Sequence, residues 1–110
     1  MDRLRALRYF AILAQTLNFS ETAARFGVPS SSVSRRIKDL EADIGAALFV
    51  RTTRSVSLTD LGKLYLGEVT TALQSIDLAD DMVKAQSAAP MGNVRITAMP
   101  GYAEFYVLPA

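Results

Sequence analysis

Apolar residues recur at helical spacing through the first part of the chain. One stripe, with steps of three and four residues and a second row beside it, consists of Leu4, Leu7, Phe10, Ala11, Leu13, Ala14 and Leu17. This period predicts an amphipathic helix over about residues 3–17. Ser20 suits the N-cap of a second, short helix, which Gly27 ends and Pro29 prevents from continuing.

A third helix is predicted from Ser30 or Ser31, either of which suits the N-cap, to Gly45, which suits the C-terminal stop. At about 100° per residue, its apolar side chains lie within about 60° of one another. They are Val33, Ile37, Leu40 and Ile44. Residues 47–51 and 56–58 then change to the pattern of short strands around a turn, which predicts a hairpin.

A long fourth helix is predicted from Asp60 to about Ala88, with Thr59 as its N-cap. Its apolar stripe follows a nearly heptad spacing and consists of Leu61, Tyr65, Val69, Ala72, Ile76, Ala79 and Val83. Such a helix is about 43 Å long, which is more than three short helices can cover. We therefore predict that the stripe dimerises with a second copy; packing on the chain's own core is the alternative.

Proline and glycine interrupt the helical pattern at 90–92, and an alternating, strand-like segment follows at 93–98. The chain ends on the apolar segment 102–110, which suggests a truncated further domain. Three domains are predicted. Residues 1–58 form a mainly α fold with a hairpin, and residues 59–89 form a linker and dimerisation helix. Residues 90–110 form the beginning of another domain.

The amino-acid composition excludes several classes of chemistry. Cysteine and histidine are both absent, which excludes disulfides, thiolate chemistry, Ser-His triads and most zinc sites. Asp80 and Asp81 point about 100° apart on a helix, so we expect a solvated face and no metal site. We predict no enzyme and no membrane span or secretory signal, and therefore a cytoplasmic protein. A small hydrolase is the weakest alternative.

Charge is distributed unevenly along the chain. Residues 1–58 contain nine Lys/Arg and five Asp/Glu, a net charge of +4, whereas residues 59–89 contain two and five, a net charge of −3. A basic first half indicates an anionic partner for that half alone.

The spacing of Ala23, Gly27 and Val33 is typical of a helix-turn-helix, in which a small residue, a turn glycine and a core valine are needed at these places. On the third helix, Ser31, Ser32 and Arg35 lie opposite the apolar face, flanked by Ser34 and Arg36. Hydroxyls and guanidinium groups on such a face can bind base edges or phosphates in the major groove of DNA. A solvated face with serine capping is the alternative.

The hairpin carries Arg51 and Arg54 on either side of a Thr-Thr pair. Beside a helix-turn-helix, a hairpin of this kind can place an arginine along the minor groove, where the potential is negative. An ordinary charged turn is the alternative.

These segments resemble the N-terminal domain of LysR-type transcriptional regulators. The resemblance lies in 1–10, 18–24, 33–41, 48–51 and 58–62, all in one register. It implies a winged helix-turn-helix of three helices and a β-hairpin wing, a long dimerisation helix, and the start of an α/β effector-binding domain at 90–110. The chain departs from the common family pattern at 29–32, where Pro-Ser-Ser-Ser stands in place of a segment containing Gln-Pro.

The resemblance implies DNA contacts from Ser30, Ser31, Ser34, Arg35 and Arg54. The full set of predicted DNA-binding residues is Thr22, Ser30, Ser31, Ser32, Ser34, Arg35, Arg36, Arg51 and Arg54. The predicted partners are double-stranded DNA and a second copy of the chain, with RNA polymerase as a further candidate. The whole protein is a candidate tetramer. No cofactor is expected here, and a small-molecule inducer is expected for the whole protein.

The predicted function is therefore sequence-specific regulation of transcription, with a dimer binding an interrupted palindrome. The alternative is a helical interaction module that does not bind DNA, in which the basic face is incidental.

Overall fold

The computed structural model describes residues 2–87, so the predicted strand and apolar segment within 90–110 lie outside the described residues. The elements follow the predicted order and consist of α1 (Arg3–Thr16), α2 (Phe19–Phe26), α3 (Ser30–Ile44), β1 (Phe49–Arg51), β2 (Val56–Leu58) and α4 (Asp60–Ser87). This is the predicted arrangement of three helices, a hairpin and a long fourth helix. Within residues 2–87, no helix combines the length and apolar character needed to cross a membrane.

The start of α2 differs from the prediction. Asn18, not Ser20, is the N-cap, because the Asn18 backbone is extended and its side chain accepts a 2.8 Å hydrogen bond from the Glu21 amide. Asn18 directly follows Leu17, which ends α1 in the left-handed conformation at φ +52°. The second helix therefore begins at Phe19, and Ser20 lies inside its first turn.

The start of α3 also differs from the prediction. Pro29 occupies the N-cap position with φ −66°, and no side chain caps the helix there. The predicted caps Ser30 and Ser31 are both exposed residues of the helix itself. The helix begins directly after the extended backbone of Pro29, and a residue with helical backbone does not occupy the N-cap position. Gly45 ends α3 as predicted, at φ +81°, a conformation that favours glycine.

One hydrophobic core joins the three short helices to the hairpin. Its most buried side chains come from α1, α3 and the segment before β1, and include Tyr9, Phe10, Leu13, Val33, Ile37, Leu40 and Leu48. The Phe10 ring lies 5.6 Å from that of Phe49 and 5.3 Å from that of Tyr65, between centroids. The hairpin and the first turns of α4 are thereby packed against α1.

The hairpin is antiparallel, with Phe49 opposite Leu58 and Arg51 opposite Val56. Thr59 joins this hairpin to α4, since its hydroxyl accepts a 2.9 Å hydrogen bond from the Gly62 amide and donates a 2.7 Å bond to the Ala47 carbonyl. The predicted N-cap role of Thr59 is confirmed by the first of these bonds. The second bond ties the cap to the chain just before β1.

The first half of α4 requires a correction to the predicted dimerisation stripe. The chain forms one compact unit up to Gln74, and in this unit Val69 is 5% exposed and Leu73 is 8% exposed. Tyr65 is half-buried against the same core. Tyr65 and Val69 therefore pack within their own chain, and Leu73, which the stripe omitted, packs with them.

The second unit begins at Ser75, and every described residue from 75 to 87 is exposed. Its large exposed apolar side chains are Ile76, Leu78, Met82 and Val83. Among the residues up to Gln74, Leu61 and Leu64 are also exposed, at 54% and 67%.

Candidate nucleic-acid interface

The N-terminal half of α3 presents polar side chains on the side away from the core. Ser30, Ser31 and Arg35 are exposed and Ser32 is half-buried, whereas Val33 and Ile37 on the opposite side are fully buried. The helical period therefore placed these residues on the correct faces. We call Ser30, Ser31 and Arg35 the outer face of α3.

A shallow depression of about 260 Å³ lies along this helix, lined by Ser31, Ser32, Arg35, Arg36 and Asp39. The amino terminus of α3 has no side-chain cap, although the Ser32 amide donates a 3.0 Å hydrogen bond to the Pro29 carbonyl. The partial positive charge of this helix end therefore meets no capping side chain. Hydroxyls, guanidinium groups and helix amides together form a surface that favours phosphate and base-edge acceptors. Asp39 is the acidic member of the lining, at the far end from the amino terminus.

Arg36 is partly held by the protein itself. Its guanidinium lies 5.7 Å from the centre of the Tyr9 ring, and that of Arg5 lies 6.0 Å from the same ring. Arg5 also donates a 3.3 Å hydrogen bond to the Tyr9 hydroxyl, and this bond raises the pKa of Arg5. The Tyr9 ring thus lies within cation–π distance of one guanidinium from α1 and one from α3.

Thr22 does not belong to the exposed surface, contrary to the prediction. It is fully buried, and its hydroxyl oxygen lies 2.8 Å from that of Thr16. Buried hydroxyls are normally hydrogen-bonded, and this pair meets that requirement between α1 and α2. Thr22 is therefore part of the helix packing and is not available to DNA.

Arg51 is also directed inward. Its guanidinium donates to a Glu41 carboxylate oxygen at 3.3 Å and to the Ser34 hydroxyl at 3.4 Å. The same group lies 5.0 Å from the centre of the Phe19 ring. We correct the predicted role of Arg51 accordingly: it connects β1 to α2 and α3, and Ser34 is half-buried beside it.

Arg54 has a different environment, at the exposed turn of the hairpin. The turn is closed by local hydrogen bonds, including 2.8 Å from the Thr52 amide to the Ser55 carbonyl and 3.2 Å from the Arg54 amide to the Thr52 hydroxyl. The Arg54 backbone takes part in these hydrogen bonds, and its side chain is exposed. The position of this side chain therefore follows from the conformation of the turn.

Glu41 was missed by the sequence analysis. Its carboxylate accepts hydrogen bonds from the Leu48 amide at 2.8 Å and from the Phe49 amide at 3.2 Å, in addition to the Arg51 bond. These contacts span seven to ten residues along the chain. No helical or strand period reports a contact of that kind, so the sequence pattern carried no signal for it.

The surface of α4 includes an apolar groove, to which the predicted stripe contributes Leu61 and Tyr65. It has a volume of about 280 Å³ and is lined by Ile44, Ala46, Leu48, Leu61, Leu64, Tyr65 and Glu68. Leu64 was omitted from the predicted stripe. For metal binding, no group of three or more Asp or Glu side chains within residues 2–87 is arranged to hold an ion.

Comparison with known families gives a match over residues 4–63 to the model described as bacterial regulatory helix-turn-helix protein, lysR family. Among curated proteins, the chain is 33% identical over 109 residues to the HTH-type transcriptional repressor PA14_22550 of Pseudomonas aeruginosa, covering 99% of this chain and 34% of that protein. It is 36% identical over 106 residues to the HTH-type transcriptional regulator IlvR of Caulobacter vibrioides, covering 96% and 36%. The chain thus spans about a third of the length of these relatives.

Solved structures give a similar result. The crystal structure of the BenM DBD/catB site 1 DNA complex matches with a TM-score of 0.74 and 28% identity, covering 79% of this chain and 97% of that one. Full-length CbnR complexed with its target DNA matches with a TM-score of 0.69 and 30% identity, covering 76% and 29%.

Proposed function

Because the chain belongs to the LysR family of bacterial regulatory helix-turn-helix proteins, we propose that residues 2–58 bind double-stranded DNA and that the protein regulates transcription. The observation that carries the proposal is the outer face of α3, with Ser30, Ser31 and Arg35 exposed around an uncapped helix terminus. Both of the solved structures compared above hold DNA, which supports this assignment over the alternative of a module that does not bind DNA.

In this proposal, α3 enters the major groove with its amino-terminal half. Arg35 donates to guanine O6 and N7 or to a phosphate, and Ser30 and Ser31 bond base edges or phosphates. Arg36, Ser32 and Ser34 flank this contact. Arg54 reaches along the minor groove from the hairpin turn, where a narrow A·T-rich groove has the most negative potential.

The experiment is a measurement of duplex binding as a function of salt. Duplexes selected by the chain from a randomised pool are compared with unselected duplexes by fluorescence anisotropy. We expect affinity to fall steeply as salt rises, because contacts to phosphate release counterions, and to be higher for the selected pool. Equal affinity for both pools would contradict sequence-specific recognition, and absence of binding at low salt would favour the non-DNA interaction module.

We further propose that α4 joins two copies of the chain. The side chains that its own core leaves exposed include Leu61, Leu64, Ala72, Ile76, Ala79 and Val83. Burial of such side chains between two helices is the usual way in which water is excluded from an exposed apolar stripe. A dimer also supplies the two-fold symmetry that a palindromic site requires.

The dimer is tested by Ile76→Glu, measured by sedimentation velocity. Two like charges brought together in an apolar interface cost several kcal/mol, so we expect a monomer whose circular dichroism stays helical. Gln74→Glu is the matched control, because it adds the same charge about 160° away around the helix, at 100° per residue. A variant that still sediments as a dimer would contradict the role of Ile76.

The similar regulators are about three times as long as this chain. For the whole protein, we propose that an effector-binding domain, which begins at 90–110, responds to a small-molecule inducer. It also includes a dimer or tetramer acting on an interrupted palindrome in the bacterial cytoplasm, with RNA polymerase as a candidate partner. The regulator names of the relatives support a role in transcription rather than catalysis.

A further inference from the structure

One carboxylate of α3, that of Glu41, makes three hydrogen bonds to the base of the hairpin. One oxygen of Glu41 accepts from the Leu48 amide at 2.8 Å and the Phe49 amide at 3.2 Å, and the other accepts from Arg51 at 3.3 Å. We call Glu41 and the segment Leu48–Arg51 the hairpin base. Both carboxylate oxygens of Glu41 thus bind the segment from Leu48 to Arg51. Because Glu41 lies on α3, this helix sets the direction in which β1 leaves the core.

Arg51 completes this arrangement from the other side. It contacts α3 at Glu41 and Ser34, and its guanidinium lies against the Phe19 ring at the start of α2. The side chains of Glu41 and Arg51 are only 17% and 24% exposed. Because the pair is largely buried, solvent screens it less than a surface pair. It is also directional, because the planar guanidinium defines the geometry of its hydrogen bonds.

The hairpin turn, by contrast, is organised by hydrogen bonds among its own residues. Its contacts run between Thr52, Arg54 and Ser55. A turn closed by local hydrogen bonds points in the direction that the hairpin base gives it. The side chain of Arg54 therefore depends on the hairpin base for its position relative to α3.

From this geometry we infer that Glu41 and Arg51 are positioning residues for DNA recognition, which hold the hairpin so that Arg54 and the outer face of α3 engage one duplex together. The inference rests on the proposed function. It assigns to Arg51 no contact with DNA, and it assigns to Glu41, an acidic residue, a favourable effect on the binding of a polyanion.

Glu41→Gln separates this role from direct contact, because the two roles predict opposite signs. Glutamine keeps an oxygen for the Leu48 and Phe49 amides but loses the charge that pairs with Arg51. If Arg51 contacted phosphate directly, releasing it from Glu41 and removing a negative charge would tighten binding. If the pair positions the hairpin, the same change weakens binding.

The experiment is a double-mutant cycle on duplexes selected from a randomised pool. In the unmodified chain we expect Arg54→Ala to weaken binding about fivefold. In the Glu41→Gln background we expect less than about twofold, because the hairpin no longer holds Arg54 on the duplex. Arg35→Ala should cause the same fold-loss in both backgrounds, which distinguishes a misplaced hairpin from a general loss of structure.

Two further variants complete the design. Arg51→Met removes the other partner of the pair and should cause the same selective loss of the Arg54 effect. It therefore tests the inference even if Glu41→Gln does not fold. Glu21→Gln removes the same charge from a pair with Arg25 that is half exposed on α2, and should leave the Arg54 effect intact.

The inference is overturned if Glu41→Gln binds as tightly as the unmodified chain with the full Arg54 effect retained, or if the Arg35 and Arg54 effects disappear together. Failure of the unmodified chain to bind any duplex would instead remove the proposed function, and the inference with it. Amide relaxation of 52–55 by NMR gives a readout without DNA, in which we expect increased motion in Glu41→Gln.

Discussion

The hairpin base and the outer face of α3 use the same kinds of side chain in opposite ways. At the base, the guanidinium of Arg51 is paired with Glu41, and the Arg51 side chain is 24% exposed. On the outer face and at the hairpin turn, Arg35 and Arg54 are exposed. Residue type therefore does not decide which arginine meets a ligand; the partners that each position already has within the chain decide it.

The same contrast separates the hydroxyl groups. Thr22 is buried and paired with Thr16, whereas Ser31 lies exposed in the depression along α3. Substitutions at the inner positions should therefore change the free energy of unfolding, and substitutions at the outer positions should change DNA affinity while leaving unfolding unchanged. Each prediction below tests one side of this division.

The largest effect is expected at Gly62, where α4 passes the hairpin base. A Cβ at this position would overlap the Leu48 carbonyl oxygen, a backbone atom, and lie 2.9 Å from the Leu58 side chain. Gly62→Ala should lower the free energy of unfolding in urea by about 3 kcal/mol, since the backbone must shift to admit the methyl group.

Gly67→Ala is the matched control in the same helix, because nothing lies within 4 Å of a Cβ there. Alanine is the better helix former, so this change should stabilise the chain by about 0.5–1 kcal/mol. Equal effects of the two substitutions would show that the close approach of α4 to the hairpin base does not constrain position 62.

The next effect is expected at Arg35, on the outer face. Arg35→Ala should weaken binding to selected duplexes by about 2 kcal/mol, because a bidentate contact to a base is lost, and should leave the urea midpoint unchanged. Binding is measured on selected and unselected duplexes in parallel. An equal loss on both would reassign Arg35 to a phosphate contact, and a lowered urea midpoint would place it inside the core.

A smaller effect on stability is expected at Thr22. Thr22→Val keeps the shape but removes the hydroxyl that pairs with Thr16, which should cost about 1 kcal/mol of unfolding free energy. DNA affinity should stay the same. Ser31→Ala is the reverse case, with affinity reduced and unfolding unchanged, and a loss of affinity in Thr22→Val would contradict the internal role.

Most of the fold follows from the sequence because local period and local chemistry determine it. The apolar face of α3 was found from four residues at helical steps, and three of them, Val33, Ile37 and Leu40, are fully buried. The turn at Gly45 was found from the conformational freedom of glycine, and its φ of +81° agrees with that reason. Both signals lie within a few residues of the feature that they predict.

The remaining features depend on contacts that the local pattern does not contain. The spacing on α4 predicts a stripe that packs on a partner helix, but the pattern of a helix with apolar residues on two sides does not show which side packs on its own core. Val69 went to the core, and Leu64 stayed exposed. Likewise, Arg51 was placed with Arg54 because both flank the same turn, while its partner Glu41 lies ten residues earlier in the chain.

Among the DNA contacts, the smaller effect is expected at Arg54, which connects the two sides of the comparison. Its side chain is exposed like the outer face, but its position is inherited from the hairpin base. Arg54→Ala should weaken binding by about 1 kcal/mol on duplexes with A·T-rich flanks, where the narrow minor groove attracts an arginine, and less on G·C-rich flanks. Binding is measured at moderate salt on both duplexes, with the urea midpoint as a control for folding. An equal loss on both flanks would mean that Arg54 senses phosphate charge alone, and an unchanged affinity would mean that the outer face of α3 recognises DNA without the hairpin.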